Sequence, residues 1–131
     1  MENHLPLIFA FAACSWLPHF TCHYYKLETR SSFIVGAWRF TPMHSALAML
    51  FYAGLASLNL VAIEVAGVRT PALLISAACH AALGALHLYR LTNFFPFEVF
   101  GYPWSRGSST REAIMELALG AGFLLLAIRI S

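Results

Sequence analysis

Four apolar stretches, each close to the length that crosses a bilayer, dominate this chain of 131 residues. A spanning helix needs ~20 mostly apolar residues. The first stretch runs from about Leu5 to Tyr25, the second from about His44 to Ala66, the third from about Pro71 to Tyr89 and the fourth from about Arg111 to Ile130. Gly67-Val68-Arg69-Thr70 leaves room only for a tight turn, and Pro71 suits a first helical turn, where no amide donor is lost. Pro18 falls inside the first stretch and is expected to kink it.

Composition agrees. Hydrophobic residues make up 60% of the chain, charged residues 11%, and the mean hydropathy is +0.69. A water-soluble domain of this size cannot cover its surface with so few polar groups, so the lipid bilayer is the expected solvent. The net charge of +2 is too small, and the arginines too scattered, for nucleic-acid binding. Cys14, Cys22 and Cys79 are odd in number and lack CxxC spacing, which argues against a disulfide or a zinc knuckle. Met1-Glu2-Asn3-His4 lacks the positive start of a secretory signal, so the first stretch is expected to remain in the mature protein. The expected fold is therefore all-α: a single multi-pass domain over residues 1–131, with four transmembrane helices.

An internal match gives that fold a plan. His23-Tyr24-Tyr25-Lys26-Leu27 resembles His87-Leu88-Tyr89-Arg90-Leu91 at an offset of 64 residues. Phe33 and Val35 then match Phe97 and Val99, and after short insertions Gly36 and Trp38 match Gly101 and Trp104. The expectation is two similar antiparallel hairpins with approximate internal two-fold symmetry along the membrane normal. The match blurs inside the spans, where His19 corresponds to Leu83 and Trp16 to His80.

The connectors 26–43 and 90–110, with the adjoining helix ends, carry Lys26, Arg30, Arg39, Arg90, Arg106 and Arg111, against only Arg69 and Arg129 on the other side. The positive-inside rule puts both connectors in the cytoplasm and both termini outside. Phe33, Trp38, Phe40, Phe94, Phe95, Phe97, Phe100, Tyr102 and Trp104 should hold these connectors in the interface, where aromatic rings concentrate.

In a four-span chain, the end of the first helix, the start of the second, the end of the third and the start of the fourth share one side. Near that side stand His19, His23, His44, His87, Glu112 and Glu116, with His80 deeper on the face of His87. Ionisable groups within spans are costly and tend to face the interior and mark function. His44 also suits a helix cap, and Glu112 and Glu116 suit a helix N-terminus. Asn59 reads as an interhelical hydrogen bond. Small residues, Ala77, Ala81 and Gly84 in the third span and Ala118, Gly120 and Gly122 in the fourth, allow close helix approach.

Three functions follow as expectations. The leading one is a haem or other tetrapyrrole held by His23 and His87 as axial ligands, with Lys26 and Arg90 placed for its carboxylates, in a membrane redox or light-driven system. The second is a membrane metalloenzyme acting on a lipophilic substrate, its iron, zinc or copper held by His19, His23, His44, His87 and Glu116. The third is a non-catalytic subunit of a homo-oligomer or larger membrane complex. No GxGxxG, Walker-type or GxSxG motif is present.

Overall fold

The computed structural model describes residues 4–31, 33–35, 38–93, 95, 98–99 and 102–131. Among them are four helical segments long and apolar enough to cross a membrane. The first is broken into α1 (Leu5–Cys14) and α2 (Leu17–Glu28). The others are α3 (Pro42–Glu64), α4 (Arg69–Thr92) and α5 (Arg106–Ile130). Leu7, Leu50, Phe51, Leu125 and Ile128 stand exposed on their outer faces, as lipid contact requires.

The helices are longer than the apolar stretches alone suggest, because hydrogen bonding carries them on to their caps. Ser105 accepts a hydrogen bond from the Ser108 amide at 3.0 Å and starts α5 ahead of Arg111. Thr41 starts α3, with the His44 ring accepting from the Thr41 amide at 3.1 Å. The connectors shrink accordingly, and each holds a short antiparallel hairpin that sequence reading did not anticipate. One is β1 (Phe33–Val35) with β2 (Trp38–Phe40), the other β3 (Glu98–Val99) with β4 (Tyr102–Pro103). Strands of two or three residues are too short to show a period of two. Met1, Glu2, Asn3, Gly36, Phe94, Phe97, Phe100 and Gly101 lie outside the described residues.

The turn between α3 and α4 is a single 3-10 turn, Ala66–Val68. Arg69 fastens it by donating to the carbonyls of Ala62 at 3.1 Å and Ile63 at 2.9 Å, acceptors that the end of α3 leaves free. At the other side Arg90 is buried and donates to the Phe95, Ser105 and Trp104 carbonyls and the Ser109 hydroxyl. It ties the second connector to the start of α5.

The break at Ser15–Trp16 is the consequence of Pro18. Proline has no amide hydrogen and its ring clashes with the carbonyl four residues back. The Ser15 amide still bonds Phe11, four residues back, but the Trp16 amide bonds Ala13, three back, and the helix tightens there. Helix α2 restarts with Pro18 in its first turn.

Two glycines set the spacing of α4 and α5. A Cβ on Gly120 would stand 3.0 Å from the Ala77 carbonyl oxygen and 3.2 Å from the Ala81 nitrogen, and one on Gly84 would stand 2.7 Å from the Leu117 side chain. The two backbones therefore approach closely, and the buried His80 and Glu116 meet between them. Two apolar clusters fill the rest. Phe9, Ala12, Ala62, Leu73, Phe123 and Ala127 form one; Trp16, Tyr52 and Leu55, with Phe20, Cys79 and Leu83 against them, form the other. Asn59, fully buried, crosses from α3 to α4 by donating to Ser76 at 2.9 Å.

Candidate metal centre

Glu116 is buried at mid-span on α5, and each of its carboxylate oxygens faces an imidazole. Oε1 lies 3.0 Å from Nε2 of His19 on α2, and Oε2 lies 2.5 Å from Nδ1 of His80 on α4. His80 is twelve residues from the end of α4, roughly 18 Å along the axis by helical rise, which places the group near the middle of the span. Nε2 of His80 meets the Ser15 hydroxyl at 3.0 Å.

The hydrogen bonds fix the protons. The Ser15 hydroxyl has one hydrogen and donates it to the Ala12 carbonyl at 2.7 Å. Towards His80 it is an acceptor, so His80 Nε2 carries hydrogen and donates. At 2.5 Å a carboxylate lone pair and an imidazole lone pair cannot face each other bare; a proton lies between Nδ1 and Oε2, whichever atom formally carries it. Ser15 stands at the break in the first span.

Aromatic rings wall the group. Trp16 stacks on His80 with ring centroids 4.0 Å apart and planes 17° from parallel. Tyr52 stacks on His19 at 5.1 Å, and Phe123 lies 5.5 Å from His80. Burial in this low-dielectric wall strengthens the hydrogen bonds inside it and makes any unpartnered charge costly. The edge at His19 is open: its side chain keeps 20% of its surface.

His19, His80 and Glu116 offer ligand atoms that all lie within 4.8 Å of one another, the single such group among the described residues. Two of the five residues expected to ligate metal are therefore in it, His19 and Glu116. His80, noted in the sequence only for its depth, completes it. The signal that pointed to it was burial depth; the internal match pointed elsewhere. His23 and His87 are half-buried and lie outside the group. His23 stacks on Tyr52 at 5.8 Å, so it flanks the site. His87 has a buried Nδ1 with no hydrogen-bond partner among the described residues. The exposed ring of His44 is engaged by Thr41 at the start of α3. Lys26 is buried near the end of α2, and Arg90 is committed to the second connector.

Two histidines and one carboxylate form a donor set that suits iron, zinc or copper. Three protein ligands leave a coordination position open, as catalytic sites do. No family model, curated protein or solved structure matches the chain. The fold and the site thus define a class only: a helical membrane protein with four candidate spans and a buried histidine–glutamate group that could bind a metal.

Proposed function

We propose that the chain is a membrane-embedded metal-binding protein in which His19, His80 and Glu116 hold one transition-metal ion at mid-depth. The supporting observation is the hydrogen bond from His80 Nε2 to Ser15, because it turns the Nδ1 lone pair towards Glu116. A metal-bound histidine typically donates its other ring nitrogen to just such a neighbour. His19, His80 and Glu116 would hold the ion, and binding would displace the proton that His80 and Glu116 share. When bound, the ion supplies Lewis acidity to whatever enters from the open edge at His19.

The test is metal stoichiometry in purified, chelator-stripped protein titrated with Co²⁺, whose visible bands report coordination. One ion per chain is expected, abolished in Glu116→Gln and in His80→Ala and retained in His44→Ala. Apparent affinity should rise with pH, since the ion displaces a proton. Binding that survives Glu116→Gln would refute the assignment.

We further read the chain as two similar antiparallel hairpins, α1–α2 with α3 and α4 with α5, related by an approximate two-fold axis along the membrane normal. What supports this is burial at positions 64 apart: Phe9 and Leu73, Ala13 and Ala77, Trp16 and His80, Lys26 and Arg90, Ser45 and Ser109, Tyr52 and Glu116 are all buried. The helix caps Thr41 and Ser105 stand at the same offset. The excess of Lys and Arg beside the two hairpin connectors supports a cytoplasmic position for them, with both termini outside.

A tetrapyrrole between His23 and His87 is the second reading, supported by the unsatisfied Nδ1 of His87. A Soret band lost in both His23→Ala and His87→Ala would carry it. Association into a homo-oligomer or larger membrane complex is compatible with either, through outward faces such as Leu47, Leu50 and Phe51 on α3.

A further inference from the structure

The seam between the broken first span and α5 has two parts. Towards the termini it opens into a shallow, open-sided cleft of about 500 Å³. Leu7, Phe11, Ala118, Gly122 and Leu126 are among its walls, and His4, at the start of α1, is its one ionisable side chain. Towards mid-depth, His19 of the first span keeps its open edge against Glu116 of α5. Phe123 belongs to both parts: it lines the cleft and lies 5.5 Å from the His80 ring.

We infer that this cleft seats the hydrocarbon chain of a long-chain amphiphile drawn from the bilayer, with its polar end at the level of His4. The inference deepens the metal-site reading by naming the substrate class, and rests on it for the purpose of binding. The argument is one of medium and depth. Both walls are candidate membrane spans, so the cleft opens onto hydrocarbon, and an apolar groove there selects a chain, not a polar solute. Along α1, Ser15 lies roughly 16 Å from His4 by helical rise. That is about one leaflet of a hydrocarbon core ~30 Å thick. A chain anchored at His4 therefore brings its distal carbons to the level of His19, His80 and Glu116.

The experiment uses the full chain reconstituted in phosphatidylcholine vesicles, with palmitic acid bearing a mid-chain diazirine as the probe and mass spectrometry to locate adducts. Gly122 has open space where a Cβ would stand, so Gly122→Leu fills the cleft without entering the bundle. Gly54 on α3 is equally open and supplies the control, Gly54→Leu. Expected are adducts on cleft residues such as Phe11 and Ala118, suppressed by excess unlabelled palmitate, lost in Gly122→Leu and kept in Gly54→Leu. Adducts spread with similar yield over Leu50 and Phe51, or unchanged by Gly122→Leu, would overturn the inference. Labelling that persists in Glu116→Gln separates this site from the metal: loss of Co²⁺ binding with saturable labelling retained leaves the chain site standing, and metal binding without saturable labelling leaves only the metal.

Discussion

Ser15, His19, His80 and Glu116 form a hydrogen-bonded group; the residues 64 positions from each, Cys79, Leu83, Trp16 and Tyr52, all belong to one apolar cluster. The two groups touch, Trp16 stacking on His80 and Tyr52 on His19. Each half of the chain gives two residues to the polar group and two to the apolar wall beside it, which leaves only the edge at His19 open. The difference teaches where like residues take like places, as the buried Lys26 and Arg90 or the helix caps Thr41 and Ser105 do. The buried polar group stands where the residue types at matching positions differ.

Glu116 gives that comparison its severest trial. Glu116→Leu leaves two imidazoles facing an apolar side chain, and breaking a buried pair costs about 3–5 kcal/mol. Tyr52→Leu, at the matching position, removes packing but leaves no unpartnered charge and is expected to cost less. Replacing both polar partners, Glu116→Leu with His80→Leu, should recover much of the single-variant loss. Reversible unfolding in detergent checks all three. A double variant no more stable than Glu116→Leu would mean that the polar group is not a local unit.

Backbone approach is the next contrast. Gly120 has its counterpart 64 residues earlier in Ala56, which already carries a Cβ in the apolar cluster. Gly120→Val forces its new side chain against the Ala77 carbonyl and the Ala81 nitrogen and should cost about 1–3 kcal/mol as overpacking does. It should also weaken Co²⁺ binding, because His80 and Glu116 are carried apart with the helices. Ala56→Val should leave Co²⁺ binding intact. Equal loss of binding in the two variants would show that α4 and α5 are not held at the site by this contact.

How much of this was legible in the sequence follows from the same contrast. Spans were legible because hydropathy over twenty residues is a long signal, and Pro18 and Pro71 punctuate the chain where the structure breaks or begins a helix. The β-hairpins were not, since their strands are too short for any period. At the site, Glu116 and His19 were legible as ionisable groups within spans. Pairing them with His80 was not, because it depends on α4 and α5 approaching at Gly84 and Gly120 and on helix rotation, which hydropathy does not report. Ser15 gave no signal of its own. Its contact with His80 depends on how the broken first span packs against α4, which no local pattern reports.

Ser15 is therefore where the smallest stability effect and the most specific functional effect should coincide. Ser15→Ala removes one acceptor from His80 Nε2, a loss of about 1 kcal/mol for a neutral hydrogen bond. The imidazole is then free to carry its hydrogen on Nδ1, the atom that faces Glu116 and that a metal needs bare. Outer-shell partners of metal-bound histidines are typically worth ~10–100-fold in affinity. The expected result is a nearly unchanged unfolding midpoint with Co²⁺ binding weakened by that order. Cys79→Ala, the matching change in the apolar cluster, should leave Co²⁺ affinity where it was, since the Cys79 side chain packs against the cluster of Trp16, Tyr52 and Leu55 and is not among the hydrogen-bond partners of His80. If Ser15→Ala bound Co²⁺ as tightly as the parent protein, the tautomer of His80 would be set by Glu116 alone, and the helix break would be a packing feature and not part of the site.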